Sequence, residues 1–288
     1  MNIAELAKSG KYVVTAEVGP PKGVDIVEML HDAELMHSRV DGINATDQQS
    51  SVMRLSSLAT CRLLKERGLN PILQMTCRDR NRIALQSDLL SAHVLGIENV
   101  LCLTGDFVAL GDHPQAKPVF DLDSVSLLQA AKGLEQGHDL SGNELKGAPR
   151  FCLGAIVTPG ADPLEPQIIK MEKKVKAGAQ FFQTQAVYDP GKFEEFMKAV
   201  AYLNVPVLVG IVLLRSAAMA RFMNKNVAGV HVPDNLIEEM DKAEDRAKKS
   251  VEIAARLIKE MKPLCQGVHI MAIGWEKRVP EVLDAAGL

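Results

Sequence analysis

Acids, amides and hydroxyls recur in this chain at one kind of place, directly behind an apolar run. Glu17 follows the valines of VVTAEVGPP, and Asp106 follows VLCLTG. Thr46 and Asp47 close VDGINATD, and Gln74 to Thr76 stand in NPILQMTCR. Thr158 ends RFCLGAIVT, Gln185 lies in AQFFQTQAVYD, Leu213 to Arg215 end VPVLVGIVLLR, and Trp275 follows GVHIMAIG. A carboxylate can give or take a proton, and a glutamine amide offers both a donor and an acceptor. Such a set suits hydrogen bonding of a planar polar heterocycle. No lysine stands among these positions to form a Schiff base. No His/Asp cluster has the spacing of metal ligands. The five cysteines, Cys61, Cys77, Cys102, Cys152 and Cys265, are scattered, odd in number and form no CxxC. They point to buried reduced thiols, not to a zinc or iron–sulfur site of the chain's own.

These residues act together only if the elements carrying them converge. Apolar, valine-rich runs alternate with helix-like segments from end to end. The strand candidates are KYVVTAEVGP, VDGINATD, NPILQMTCR, IENVLCLTGD, RFCLGAIVTPG, AQFFQTQAVYD, VPVLVGIVLL and GVHIMAIG. The intervening segments include VDIVEMLHDAELMHS, with Ile26, Leu30, Leu35 and Met36 among its apolar positions, and DSVSLLQAAKGLEQG, where Asp123 and Ser124 are both candidate N-caps. SAAMARFMNKN follows the seventh strand. Then comes a stripe through Ile237, Met240, Ala243, Ala247, Val251, Ala254, Ile258 and Met261, which predicts one extra helix over 234–262 before strand eight. Near-continuous apolar strands are buried on both faces, the mark of a parallel sheet covered by helices. Eight of them in 288 residues predict α/β architecture: a single (β/α)8 TIM barrel over 1–288. An open doubly wound sheet is the alternative, but no GxGxxG follows the first strand. In a barrel the strand C-termini share one mouth, and there Glu17, Thr46, Gln74, Asp106, Gln185 and Trp275 would meet.

Composition narrows the setting. The chain is 47% apolar and 24% charged with net charge −3, which excludes a disordered polymer and a broad basic surface for nucleic acid. No run of 18 apolar residues predicts a membrane span. The opening MNIAELAKSG lacks the apolar core of a signal peptide. With the unpaired thiols, this points to the cytoplasm.

VTAEVGPP, QMTCRDRN, LTGD, KMEKKVKAGAQFFQTQ and GVHIMAIGWE, in this order and spacing along essentially the whole chain, resemble the methylenetetrahydrofolate reductase family. None is specific alone; five in register are. The resemblance implies a flavoprotein barrel of one-carbon metabolism, FAD being favoured over FMN, that reduces 5,10-methylenetetrahydrofolate to 5-methyltetrahydrofolate. It implies that Glu17, before Pro20 and Pro21, is the acid that protonates N10 and opens the five-membered ring to a 5-iminium cation. The bland alternative is a carboxylate paired with Lys22 or Arg78. Asp106 would lie between flavin and pterin, hydrogen-bonding the pterin and stabilising the cation, its bland alternative being a turn or N-cap residue. Gln185 would contact the folate. Thr46, Gln74, Thr104, Gly105 and Asp106 would line the flavin, with Gly105 letting backbone approach a ring. Lys174 would stand near the flavin phosphates, unless it is an ordinary solvated lysine of a surface helix.

Three departures bear on the electron source. Thr104 stands where the family usually has arginine, so a cationic phosphate contact is missing. Ala217 lies near the place of a phenylalanine that holds NADH in many members. Trp275 replaces an arginine and could stack on the folate ring. VTAEVGPPKG with IGWE resembles the reductases of anaerobes, acetogens included, whose catalytic chain works beside a subunit carrying iron–sulfur or zinc centres. Such a partner, and a homo-oligomer, are compatible with the chain. Two other functions share the barrel: a folate- or corrinoid-dependent methyltransferase, which would need a thiolate metal cluster or a cobalamin partner, and a non-catalytic flavin-binding subunit, which would lack Glu17 or Asp106.

Overall fold

Each apolar run becomes a strand because both of its faces find cover. The computed structural model describes residues 1–288. The strands are β1 (Val13–Val18), β2 (Gly42–Ala45), β3 (Pro71–Thr76), β4 (Asn99–Leu103), β5 (Cys152–Val157), β6 (Phe181–Ala186), β7 (Val207–Val212) and β8 (Gly267–Met271). They form a closed parallel barrel in sequence order, β8 returning to β1 through the pairs Val13↔Gly267 and Thr15↔His269. The helices are α1 (Ile3–Lys8), α2 (Val27–Met36), α3 (Ser57–Glu66), α4 (Arg82–Val94), α5 (Ser124–Glu135), α6 (Glu165–Lys176), α7 (Pro190–Val200), α8 (Ala217–Asn226), α9 (Asp234–Asp241), α10 (Arg246–Met261) and α11 (Val279–Ala286). Outward strand residues and the inner helix faces make one large core. The predicted (β/α)8 barrel is the observed one.

The lumen has its own core. Val13, Ile72, Leu101, Cys152, Phe181 and Leu208 come from six strands and pack on Ile3, Ala4 and Ala7 of α1. This short helix, unforeseen in the sequence, plugs the N-terminal end of the barrel. Asn2 caps it, its side chain accepting from the Glu5 N–H while Glu5 returns a bond to the Asn2 N–H. The Ile3 N–H donates to Asn99 Oδ1 at 3.1 Å, which ties the plug to β4.

Three helical expectations change. The stripe over 234–262 is two helices, because Lys242 ends α9 and the Asp245 carboxylate accepts from the Lys248 N–H to start α10. The stripe looked continuous because both helices bury the same side. Nor is α10 the extra helix: it packs on β7 between α7 and α11, while α8 and α9, packed on each other, are the insertion. Leu35, counted as apolar-face, is exposed. Of the two N-cap candidates for α5, Asp123 is the cap, accepting from Val125 and Ser126.

Candidate functional site

A parallel strand shows alternate residues to the lumen, so position along the strand decides what faces the barrel axis. One layer above the apolar plug, Thr15, Asn44, Gln183 and His269 are all buried. Asn44 Nδ2 donates to Gln183 Oε1 at 2.8 Å, and Gln183 Nε2 donates back to Asn44 Oδ1 at 3.1 Å. As β2 and β6 lie on opposite walls, this amide pair crosses the lumen. Thr15 Oγ1 lies 3.0 Å and Gln183 Nε2 3.3 Å from His269 Nδ1. Sequence reading did not single out these four residues as a site. The available signal, for three of the four, was a polar residue two places before a predicted mouth residue: Thr15 before Glu17, Asn44 before Thr46, Gln183 before Gln185.

Glu17 stands in the next layer, on β1. Its side chain is 7% exposed, and Oε2 lies 3.7 Å from His269 Nε2. Neither base proposed as its structural partner takes that part: Lys22 pairs with Asp112, and Arg78 with Asp79 at 2.6 Å. No lysine or arginine forms an ion pair with Glu17. The pocket it borders, about 520 Å³, is lined also by Asp25, Asp32, Arg54, Ile273 and Lys277. Ile273 adopts φ +50°, a costly conformation for a β-branched residue, and its carbonyl accepts from Arg215 Nη1 at 3.2 Å.

The other predicted mouth residues divide. Thr46 is buried and its hydroxyl has no hydrogen-bond partner. Gln74 is half-buried near the end of β3. Asp47, next to Thr46 in sequence, is buried: its carboxylate accepts from the Thr76 N–H at 2.8 Å and hydroxyl at 2.9 Å and pairs with Arg80. It is a brace between strand ends. Gln185 sits beside an irregularity in β6, where register shifts between Gln183 and Ala186, and its Oε1 accepts from the Ala186 N–H. Thr158 packs toward Gly229 in the α8–α9 connection, which places the insertion against the loop after β5.

Asp106 lies three residues past the end of β4, exposed, with a carboxylate that forms no ion pair or hydrogen bond. Its main chain is what is held. Ser51 Oγ and Arg78 Nη1 approach the Asp106 carbonyl at 3.4 and 3.5 Å. Arg78, 2% exposed, also donates to Ser51 Oγ at 2.9 Å and to the Gln48 carbonyl at 3.2 Å, so one buried guanidinium joins the loops after β2, β3 and β4. Gly105 between them has φ +98°, and a Cβ there would lie 3.0 Å from that of Arg78 and 3.2 Å from that of Thr76. Only glycine fits both the dihedral and the space. Thr104 Oγ1 accepts from the Ser124 N–H at 3.2 Å, at the start of α5.

Lys174 is not the solvated lysine its helix suggested. It is buried, and Nζ donates to the Ile156 carbonyl of β5 at 2.7 Å. Burial, and then the nearby Lys170 charge, push its ammonium down to about 8. Trp275 is half-buried after β8, with the Arg215 guanidinium 5.7 Å from its ring centroid, a cation–π contact joining the rims of β7 and β8. Ala217, near the position of the missing aromatic, is buried in the first turn of α8.

The family model for methylenetetrahydrofolate reductase matches residues 2–287. Methylenetetrahydrofolate reductase 2 of Schizosaccharomyces pombe is 25% identical over 240 residues, covering 75% of this chain and 35% of the relative. A probable methylenetetrahydrofolate reductase (NADPH) of Caenorhabditis elegans is 22% identical, covering 81% of this chain and 34% of its own. The chain thus spans about a third of the length of these curated relatives. Among solved structures, an uncharacterized Clostridium thermocellum protein that binds two copies of 5-methyl-5,6,7,8-tetrahydrofolic acid superposes with a TM-score of 0.67 at 17% identity, over 98% of this chain and 96% of that one. An oxaloacetate acetylhydrolase superposes at 0.55 with 12% identity. At those identities the likeness is one of fold.

Proposed function

The chain belongs to the methylenetetrahydrofolate reductase family, and from that premise we propose that it reduces 5,10-methylenetetrahydrofolate to 5-methyltetrahydrofolate with a flavin bound at the barrel mouth. The observation that carries this reading is Glu17: a buried carboxyl on the lumen side of β1, without a cationic partner and open to the mouth. A carboxyl so placed is available to give its proton to a substrate nitrogen. Protonation of N10 as its bond to the bridging carbon breaks moves the bond pair onto nitrogen and leaves a 5-iminium cation, the species a hydride can reduce.

The residues present fit a flavin. The unpartnered Thr46 hydroxyl and the Gln74 amide offer hydrogen bonds, and Gly105 keeps the wall after β4 free of a side chain. With Thr104 and Asp106 these would hold the isoalloxazine edge, and the bound flavin would supply the hydride. Lys174 would face the phosphates, in competition with its bond to Ile156. FAD is favoured over FMN, as in the family resemblance. Asp106, whose carboxylate is unpaired, would bind the pterin and oppose the cation. Gln185 would contact the folate after leaving its own strand, and Trp275 would stack on the aromatic ring. That a protein of this fold binds 5-methyltetrahydrofolate supports a folate in such a mouth. Electrons would enter through a partner subunit with iron–sulfur or zinc centres more readily than from NAD(P)H, since Ala217 offers no clamp.

The test is Glu17→Gln. The variant is expected to bind flavin and accept electrons from dithionite like the parent, yet reduce methylenetetrahydrofolate about 10²- to 10⁴-fold more slowly. Equal anaerobic turnover by variant and parent would remove Glu17 from the mechanism. A protein that neither carries nor takes up FAD or FMN would sink the flavin reading.

A further inference from the structure

The buried polar layer inside the barrel is more than packing. In the reciprocal amide pair Gln183 Oε1 accepts from Asn44, and Nε2 is the atom turned toward the Thr15 hydroxyl, at 3.2 Å, and His269 Nδ1. A donor facing Nδ1 makes that ring nitrogen the acceptor, and the Thr15 hydroxyl at 3.0 Å can donate to it as well. The ring proton of a neutral imidazole then belongs on Nε2. That nitrogen is the one 3.7 Å from Glu17 Oε2, with both side chains buried.

We propose that His269 is a positioning residue for Glu17: its Nε2–H, held by the Thr15–Gln183–Asn44 network, orients the carboxyl and stabilises the carboxylate left when the Glu17 proton passes to the substrate. The inference rests on the reading of Glu17 as the acid. At 3.7 Å the contact is longer than a hydrogen bond, and a modest side-chain rotation on substrate binding would close it. The proton path balances without the histidine changing its charge. One proton leaves the Glu17 carboxyl, N10 takes it together with the bond pair, and the negative charge stays on Glu17 beside the N–H. A bond from a neutral donor to a carboxylate is stronger than one between neutral groups, so it helps the step after transfer more than before it.

The experiment compares the parent, Glu17→Gln, His269→Leu and His269→Gln as full chains, each loaded with flavin and reduced chemically before mixing with methylenetetrahydrofolate. His269→Leu should slow flavin reoxidation by the folate about 10- to 100-fold, the range expected for loss of a hydrogen bond to a charged group, with little change in folate affinity. His269→Gln, whose amide N–H can reach the same carboxylate, should recover most of the loss. Equal slowing in both variants would reduce His269 to a packing role and overturn the proposal. So would a parental rate in His269→Leu when Glu17→Gln is inactive, a result that leaves the Glu17 reading standing. If Glu17→Gln is as fast as the parent, the reading itself fails. An independent measurement uses ¹⁵N-labelled protein without any ligand. The imidazole signal missing from His269→Gln should report the proton on Nε2, and a proton on Nδ1 in the parent would overturn the proposal even if His269→Leu did not fold.

Discussion

Lys174 carries a charge that its surroundings resist, and this has a measurable signature. Burial lowers its pKa from 10.5 to about 8. Between those values the unfolded chain holds a proton that the folded chain has lost, so the contribution of this group to stability rises with pH. Over the whole window it amounts to about 3 kcal/mol at most. The five thiols and the phenols of Tyr12 and Tyr188, all pushed up by burial, act in the opposite sense at alkaline pH. The Lys174 term is therefore read as a difference. Lys174→Met should match or exceed the parent in thermal stability at pH 7, and the advantage should shrink as pH rises from 8 to 10.5. The same variant should bind flavin more weakly if the ammonium meets the phosphates. A constant difference in melting temperature across that pH range would show that the side chain is charged throughout.

Ile3 shows what an element of six residues can do. It is fully buried in the lumen cluster, and Ile3→Ala removes three carbons from a closed space. The expected loss is about 2–5 kcal/mol in urea unfolding, with no change in flavin binding, because α1 plugs the end of the barrel opposite the mouth. Loss of flavin affinity with parental stability would contradict that separation. The strands were legible in the sequence because runs covered on both faces are near-continuously apolar; α1 was not, because three buried residues among MNIAELAKSG make too short a stripe. The split between α9 and α10 was hidden by half-buried Ala243 and Ala247, which keep the period through the break. Among candidate site residues, those at strand ends could be proposed from position and family resemblance together. His269, Asn44, Gln183 and Thr15 could not, since polar groups inside an apolar strand acquire meaning only when strands from opposite walls are brought together. The solvated alternative for Lys174 fails for a related reason: helix spacing alone does not tell which lysine turns toward the barrel.

For the molecule as a whole, the arrangement of the mouth bears on how electrons arrive. Arg215 lies over Trp275, joining the loops after β7 and β8, and the start of α8 buries Ala217. The start of α8 offers a nicotinamide no aromatic clamp on this rim. The isolated protein, loaded with flavin, should be reduced poorly by NADH and readily by reduced viologens, which need no binding pocket. Stopped-flow mixing with NADH checks this, and bleaching at catalytically competent rates without a partner would show that Ala217 was the wrong residue to read.

The same barrel hides all five cysteines. Burial drives the thiols of Cys77 and Cys152 up to about 12, so neither is a nucleophile while the structure is closed. They lie in different layers: Cys152 in the lumen against the α1 plug, Cys61 on α3, Cys265 ahead of β8. A thiol-reactive reagent added to the native protein thus reports openings, and the order in which positions are labelled is a map of which parts of the barrel part first. Cys152 alone would time the departure of the plug, an unfolding clock built from residues that have no part in the chemistry.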